Sequence, residues 1–330
     1  MVSALALGVS VAPASAALPG GNGRIAFERY DNDANTTLWD VVPGVSGIRA
    51  LTRIPTWCQR RDPYWSDERP RYSPDGEWIA YVHEDDCRDA TSFQRQVRIM
   101  RADGTGNRIL RRFNDGSRAY DDDGLHPVFT ANGKRLFFST GDGSAWVIGA
   151  GSGRRVRRAP FPGGQIREGY SYWTFDRSRK GRVVLTLRPE RSRSQPNQLQ
   201  GVGLFVGRLG QAFRRLTMSP QRRNLYGIDG NADSHPYDRS VIFERQLLCV
   251  RGRTGCPVNR QIGADDIYIA EPGHRTRRMT RHGAAEQPAF APDGTRFVYV
   301  SGVRLCVRVV GAGRDEWCGP EGASPSWQPL

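Results

Sequence analysis

The stretch Arg71-Tyr72-Ser73-Pro74-Asp75-Gly76, followed by Trp78-Ile79-Ala80-Tyr81-Val82, decides the fold. Its first half predicts a tight turn, because proline presets φ, aspartate hydrogen-bonds its own backbone and glycine accepts a positive φ. Its second half is apolar on both faces, which is typical of a strand covered on both sides. The stretch therefore predicts a short strand, a turn and a buried strand.

The same pattern recurs along the chain, which indicates a repeat architecture. Near copies begin at Phe129 and Phe290, and weaker copies begin at Phe175 and Tyr237. After each copy come an apolar strand, a glycine-containing turn and an arginine-rich strand that often ends in Leu-Thr or Met-Thr. Each repeat is therefore predicted to hold four antiparallel strands, which we label a to d from the inside outward.

Two fragments flank the five complete or weak repeats. Ile25-Ala26-Phe27 reads as a strand b with no strand a before it, and residues 324–329 read as a strand a with nothing after it. Together they predict a sixth repeat, closed by pairing of the C-terminal strand with the N-terminal blade. Such closure would remove open sheet edges.

The motif Pro70-Arg71-Tyr72-Ser73-Pro74-Asp75-Gly76, with its near copy at 288–294, resembles the repeat of TolB-like (WD40-like) propellers. The resemblance implies an all-β, six-bladed β-propeller with four antiparallel strands per blade, forming a single domain over residues 17–330. We find no counterpart of the N-terminal α/β domain of TolB in these residues, so the partner contacts of TolB are not carried over.

The N-terminus resembles a bacterial secretion signal. Residues 5–11 are apolar, and Ala14-Ser15-Ala16 is a small-residue cleavage site. We therefore expect a signal peptide at 1–16 with a truncated n-region, because Met1-Val2-Ser3 carries no lysine or arginine. A buried N-terminal strand is the alternative. No later apolar run reaches the roughly 18 residues of a membrane helix, so we expect a secreted, extracellular or cell-envelope protein.

Six cysteines in an exported chain favour three disulfides. Cys58 and Cys87 lie in two long connections of one predicted blade, Cys249 and Cys256 lie in a single loop, and Cys306 and Cys318 are symmetric about Ala312 in a hairpin. We therefore predict the pairs Cys58–Cys87, Cys249–Cys256 and Cys306–Cys318. None of the spacings matches a zinc site.

The predicted strand order separates two faces. The a–b and c–d turns are tight, whereas the b–c loops and d–a connections on the other face are long, as at 83–95, 188–201 and 245–264. Binding usually resides on long loops carried by a rigid scaffold. Carboxylates precede each strand a, and His126 and His235 each precede a proline there. We predict that the mouth of a central channel is lined by Asp67, Glu68, Asp121, Asp122, Asp123, His126, Glu168, Asp233, His235, Glu286 and Glu321.

The formal net charge is +14, carried almost wholly by arginine. The outer strands carry much of it, as at Arg111, Arg112, Arg214 and Arg277. Charge on an outer strand commonly protects an exposed edge, and binding of an anionic polymer is the alternative reading.

The sequence contains none of three common catalytic or nucleotide-binding motifs. It has no Gly-x-Ser-x-Gly elbow, no His-Glu-x-x-His motif and no Walker loop. We expect a monomeric, non-catalytic scaffold that binds a protein or peptide, with no nucleic-acid partner, no transmembrane segment and no cofactor. Three alternatives stay open: a lyase or hydrolase that acts on polysaccharide through channel His and carboxylate groups, a basic module that binds anionic cell-wall polymer, and a cation in the channel.

We expect a peptide map under non-reducing conditions to show the three cysteine pairs and no others. The loop that holds Cys249 and Cys256 is short enough to close on itself, so a single cleaved peptide should gain mass on reduction. A peptide that links Cys58 to Cys249 would contradict both the pairing and the assignment of the two faces.

Overall fold

The structure is a computed structural model. The strands in the part of the chain that it describes form one sheet of eight strands and four sheets of four or five strands, and nearly all strand pairs are antiparallel. Among the described residues there is no helix, and hence none that is long and apolar enough to cross a membrane. The structure describes residues 21–31, 35–58, 64–85, 87, 94–113, 125–130, 132–139, 145–154, 157–158, 170–177, 182–189, 203–208, 213–217, 221–222, 225–249 and 265–330.

The largest sheet joins the two ends of the chain. Its strands are β1 (Asn22–Tyr30), β2 (Thr36–Val41), β3 (Ile48–Ala50), β4 (Trp65–Tyr72), β5 (Trp78–Asp85), β6 (Gln94–Arg101), β7 (Arg108–Phe113) and β25 (Ala323–Pro329). The order is β25-β1-β2-β4-β5-β6-β7, with β3 paired to β2. All pairs are antiparallel except β2 and β4, which meet at Thr36 and Ser66. We call β25 with β1–β3 unit 1, and β4–β7 unit 2.

Four further antiparallel sheets follow along the chain. Unit 3 is β8 (Val128–Phe129), β9 (Arg135–Ser139), β10 (Ala145–Gly149) and β11 (Arg157–Arg158); unit 4 is β12 (Tyr170–Arg177), β13 (Arg182–Pro189), β14 (Gly203–Arg208) and β15 (Arg214–Arg215). Unit 5 is β17 (Leu225–Ser234), β18 (Val241–Cys249), β19 (Asp266–Ala270) and β20 (Arg277–Arg278), with β16 (Gln221–Arg222) added at its edge; unit 6 is β21 (Ala285–Phe290), β22 (Arg296–Ser301), β23 (Arg304–Val309) and β24 (Asp315–Glu321).

The first strand of each unit contacts the first strand of the next. β25 contacts β4, β4 contacts β8, β8 contacts β12, β12 contacts β17, β17 contacts β21, and β21 contacts β25. We call these six the inner strands of the described chain. β25 also pairs antiparallel with β1, with Trp327 opposite Ile25 and Ser326 opposite Ala26.

The hydrophobic core is divided among interfaces between neighbouring units. One cluster combines Val82 and Ile99 of unit 2 with Leu136 and Ile148 of unit 3, and all four side chains are buried. Another combines Ile25 and Val41 of unit 1 with Val298, Leu305 and other residues of unit 6. The strands following each turn are apolar on both faces because each unit is covered on both sides.

The turn motif has the conformation that its sequence predicts. The Ser73 N–H donates to the Trp78 carbonyl at 2.8 Å, and the Gly76 N–H donates to the Ser73 carbonyl at 2.9 Å. Gly76 has a φ of 72°, and a Cβ there would lie 1.9 Å from the Pro329 carbonyl oxygen. Gly294 likewise contacts His235 of unit 5. The glycine therefore allows both the turn and the close approach of a neighbouring unit.

The threonine that ends a strand d ties it to strand c of the same unit. Thr52, Thr217 and Thr280 each accept, at Oγ1, the backbone N–H of a strand c residue at 2.9 Å. Thr217 and Thr280 also donate to the carboxylates of Asp229 and Asp266, at 2.6 and 2.7 Å. The Leu-Thr and Met-Thr sequence signal is thus a repeated buried hydrogen bond.

Two of the three predicted disulfides are present. Cys58 bonds Cys87, and Cys306 bonds Cys318, which lie directly opposite each other on β23 and β24. The third prediction involves Cys256, which lies outside the described residues.

We expect Thr280→Val to lower the free energy of unfolding by about 1–3 kcal/mol, because the Ile267 N–H would lose its acceptor and the buried Asp266 carboxylate one of its donors. Urea denaturation measures this change. Thr295→Val, at an exposed turn position, is the matched control and should change stability by less than about 0.5 kcal/mol. Equal effects of the two variants would contradict the role of this hydrogen bond.

Candidate functional site

Most inner strands carry a β-bulge at corresponding positions. Register shifts lie between Glu68 and Arg71 in β4, between Gly230 and Asp233 in β17, and between Glu286 and Ala289 in β21. The pairing of β25 with β1 has a similar shift. At each of these places one non-glycine residue has a positive φ: Arg69 at 56°, Asn231 at 44°, Gln287 at 51° and Ser324 at 48°. A bulge removes such a residue from the ladder and bends the strand.

Side chains from adjoining units accept the N–H groups at the bulges. The Arg69 N–H donates to Glu28 Oε1 at 2.6 Å, the Gln287 N–H to Glu244 Oε2 at 3.0 Å, and the Ser324 N–H to Gln287 Oε1 at 2.6 Å. A buried N–H requires such an acceptor. Glu28 and Glu244 are therefore fixed in place by the backbone.

The bulges enclose a cavity of about 320 Å³. Residues from units 1, 2, 5 and 6, and His126 just before β8 of unit 3, line it. Its polar lining includes Glu28, Tyr30, Glu68, Arg69, Arg71, His126, Asn231, Glu244, Gln246, Gln287 and Ser324. We call it the central cavity. Its volume lies at the lower end of the roughly 300–1,000 Å³ typical of ligand pockets.

Three glutamates in or beside the central cavity have raised pKa values. Burial raises the pKa of Glu28, and Glu68 raises it further. Burial is also the main reason that the pKa of Glu244 is raised. Burial, then the negative charge of Glu244 and an interaction with Asp265, raises the pKa of Glu286 to about 7. These groups are held close to one another at a cost in solvation.

His126 lies among positive charges on another part of the wall. Burial, followed by the charges of Arg69 and Arg71, lowers the pKa of His126 well below its usual value. The ring is therefore neutral at neutral pH. Nη1 of Arg69 donates to the Leu125 carbonyl at 2.9 Å, and Nη1 of Arg71 donates to the Pro325 carbonyl at 3.3 Å.

Asp67 and Glu68 lie within the first half of β4, and their surroundings differ. Glu68 lines the central cavity. Asp67 is buried and accepts hydrogen bonds from the Trp65 indole at 3.1 Å and, through its other oxygen, contacts His83 Nδ1 at 2.8 Å. Nε2 of His83 contacts Asp85 at 2.8 Å. Burial lowers the pKa of His83, but its bonds to the two carboxylates outweigh burial and the net shift is upward.

His235 does not precede an inner strand, in contrast to the sequence expectation. β17 ends at Ser234, and His235 begins the a–b turn, where its Nδ1 accepts the Asp238 N–H at 3.1 Å. His235 occupies the turn position that Ser73 holds in unit 2. Asp233 lies near the end of β17, and its carboxylate accepts the Phe290 N–H at 2.6 Å. Both residues line a separate cavity of about 170 Å³.

Of the other predicted residues, one lies beside the central cavity, one lies on the protein surface and four lie outside the described residues. Glu286 is in β21 beside the cavity residue Gln287, whereas Glu321 is exposed at the end of the outer strand β24, opposite Arg304. Asp121, Asp122, Asp123 and Glu168 lie outside the described residues. The central cavity thus brings together Glu68 and His126, and Glu286 precedes the lining residue Gln287. The lining does not include Asp67, Asp233, His235 or Glu321.

Sequence reasoning missed Glu28 and Glu244, which lie in strands b. The signal was present as a repeat: Ala26-Phe27-Glu28-Arg29 and Ile242-Phe243-Glu244-Arg245 occupy equivalent places in β1 and β18. A glutamate in an otherwise buried strand requires a partner. The two bulges supply that partner.

One grouping of potential metal ligands occurs in the described chain: Cys306, Asp315 and Cys318. Both sulfurs are consumed by the disulfide, so no thiolate is available and the chemistry of these donors does not fit a metal centre.

Several arginines of the outer strands hold neighbouring units together. Nη2 of Arg49 donates to the Ala102 carbonyl of unit 2 at 2.9 Å, and Nη2 of Arg108 donates to the Ala150 carbonyl of unit 3 at 3.0 Å. Arg111, Arg112, Arg214 and Arg277 are exposed. Part of the positive perimeter is thus structural.

Comparison with known proteins gives structural likenesses only. No protein-family model and no curated protein sequence matches the chain. An oligogalacturonate lyase in complex with manganese matches 87% of this chain and 72% of its own at 12% identity and a TM-score of 0.47. An oligogalacturonate lyase from Vibrio parahaemolyticus matches 90% of this chain and 85% of its own at 10% identity and a TM-score of 0.45. The Dos1 propeller matches 89% of this chain and 67% of its own at 11% identity and a TM-score of 0.44.

We expect Glu286→Gln to stabilise the protein at about pH 8 and to have no such effect below about pH 4.5. The folded-state pKa of about 7 exceeds the ordinary value of 4.5. The stabilisation that protonated Glu286 gives the wild type is therefore complete below about pH 4.5 and is lost as the pH rises through about 7, whereas Gln stays neutral throughout. Unfolding curves across this range measure the difference. The exposed Glu77→Gln is the control, and parallel pH profiles for the two variants would refute the raised pKa.

Proposed function

We propose that the chain is a six-bladed β-propeller of the TolB-like kind, with units 1–6 as its blades. The cycle of contacts among the inner strands supports a ring. The antiparallel pairing of β25 with β1 supports closure of that ring through unit 1. The turn motif shared by units 2 and 6 supports the TolB-like relationship.

We further propose that this propeller is a secreted or envelope-associated bacterial binding scaffold that takes a protein or peptide segment at the central cavity. The observation that carries the proposal is a polar cavity where the bulged strands of several units converge, beside the ends of the long b–c loops. Disulfides inside two units support an oxidising compartment. Rigid walls with a few convergent polar groups are typical of binding sites.

The engagement of the carboxylates favours binding over catalysis. Glu28 and Glu244 accept backbone N–H groups at the bulges, so moving them to act on a substrate would leave those groups unsatisfied. Within the described part of the chain, the cavity lining holds no serine or cysteine hydrogen-bonded to a histidine. Ser324 instead interacts with Glu28.

His126 favours one alternative, an enzyme acting on an acidic polysaccharide. A neutral imidazole could accept a proton while Arg69 and Arg71 neutralise a sugar carboxylate. A cation in the channel remains part of this alternative. Binding of an anionic polymer by the exposed outer arginines is the third reading, and it should be lost at moderate salt.

Peptides can be selected on the wild-type protein from a displayed random library. We expect them to bind Tyr30→Ala about tenfold or more weakly, because Tyr30 lines the central cavity. Isothermal titration measures the loss. Val45→Ala, in an exposed c–d turn, is the control and should bind normally.

Peptides that bind both variants equally would contradict the scaffold hypothesis. Release of unsaturated or reducing-end sugar from polygalacturonate, abolished by His126→Ala, would establish the enzyme instead.

A further inference from the structure

Three aromatic side chains in and around β1 and β4 are exposed, and one of them, Tyr30, lines the central cavity. Tyr30 is 59% exposed, Trp57 is 51% exposed and Tyr64 is 36% exposed. We call these three residues the aromatic rim. Other large aromatic side chains of the described chain, such as Phe27, Tyr81 and Phe137, are fully buried, although Tyr237 is also exposed. Exposed aromatic groups that cluster at a cavity are typical of binding surfaces.

The strand pairing places two of them at one sheet edge. Tyr30 at the end of β1 pairs with Thr36 of β2, and Thr36 pairs with Ser66 of β4. Tyr64 precedes Ser66 by two residues. The three strands thus bring both tyrosines to the same end of the sheet, next to the central cavity that Tyr30 lines.

A disulfide attaches the third aromatic residue to this edge. Trp57 precedes Cys58, which is bonded to Cys87. Sγ of Cys87 lies 3.9 Å from the carbonyl oxygen of Tyr64. The disulfide therefore ties the backbone next to Trp57 to Cys87, which contacts Tyr64. This restraint on the backbone lowers the entropy that binding would cost.

Negative charge lies between the tyrosines. The Tyr30 hydroxyl donates to Glu28 Oε2 at 3.3 Å, and the Ser66 hydroxyl donates to Glu68 Oε1. Partial burial raises the pKa of Tyr30, and Glu28 and Glu68 raise it further. Partial burial and then Glu68 raise the pKa of Tyr64. Burial and Glu68 likewise raise the pKa of Glu28, and the Arg69 guanidinium opposes them more weakly. Glu28 and Glu68 therefore place two carboxyl groups beside Tyr30, in a cavity that Arg69 and Arg71 also line.

We propose that the aromatic rim, with Glu28 and Glu68, is a receptor for one cationic side chain, an arginine or a lysine, of the bound protein or peptide segment. This inference rests on the proposed scaffold function and specifies its ligand chemistry. The cation contacts the faces of the rim aromatics and pairs with carboxylates that otherwise repel each other.

A neutral sugar would also stack on aromatic rings, but it would leave the repulsion between Glu28 and Glu68 in place. The cavity of about 320 Å³ accommodates a side chain more readily than an oligosaccharide. The charge of the whole chain, +14, repels a strongly basic partner at long range. The fitting segment is thus neutral or acidic overall and carries one prominent cation.

Short capped peptides test the inference directly. The probes are acetyl-Gly-Arg-Gly-amide, the same peptide with lysine, and the same peptide with citrulline, which keeps the shape of arginine without its charge. We expect the arginine and lysine peptides to bind at least about tenfold more tightly than the citrulline peptide, because only they offset the carboxylates. Chemical-shift titration measures the affinities.

Variants locate the binding. Glu68→Gln and Trp57→Ala should each weaken binding of the arginine peptide about tenfold, whereas Glu271→Gln, which removes an exposed carboxylate elsewhere, should not. Unfolding curves verify that each variant is folded. Equal binding of the arginine and citrulline peptides, or unchanged binding by Glu68→Gln, would overturn the inference.

The two proposals fail in different ways. If no capped peptide binds but selected library peptides still depend on Tyr30, the cation receptor is wrong and the scaffold stands. If library peptides also ignore Tyr30, both are wrong. Competition of the arginine peptide by neutral cello-oligosaccharide, with the citrulline peptide binding as well as the arginine one, would assign the rim to sugar.

Discussion

The bulge in the inner strands is the constraint on which the site depends. A residue with positive φ, such as Arg69 or Gln287, turns its N–H away from its own ladder. That N–H is partly buried in the lining of the central cavity, where a lost hydrogen bond costs free energy. The chain therefore places a side-chain acceptor in an adjoining unit, and two of the three acceptors in the described bulges are glutamates.

The residue pairs that precede four of the bulges share one feature. Glu28 lies opposite Ala323, Glu68 opposite Val82, Gly230 opposite Glu244, and Glu286 opposite Val300. Each of these pairs holds one carboxylate, on either the inner strand or its neighbour, and a small or apolar residue. Two carboxylates directly opposite each other would repel. The carboxylates at these four bulges therefore belong to several units, and no cross-strand pair among them holds two carboxylates.

Much of the local structure was predictable from the sequence, because it depends on neighbours in the chain. The turn at Ser73 to Gly76 and the cross-strand pair of Cys306 and Cys318 follow from short-range geometry. The cavity depends on contacts between units and was harder to predict. His235-Pro236 looks like His126-Pro127, yet the bulge of β17 is at Asn231-Ala232, which has no proline. Asp67 looks like a channel carboxylate, but the strand alternation directs it toward His83.

The carboxylates of the central cavity and the basic perimeter of the chain act over short distances. At physiological ionic strength charges are screened over about 8 Å, so the outer arginines act mainly on what lies beside them. Some of them are bound to carbonyls of the next unit, as Arg49 and Arg108 are, and stabilise the assembly of units. The carboxylates of the cavity lie in a region of low dielectric, where their charge is screened less. A cationic group that reaches the cavity mouth therefore responds to Glu28 and Glu68 more strongly than to the perimeter, whereas a partner with many positive charges also lies beside the outer arginines and is repelled by them.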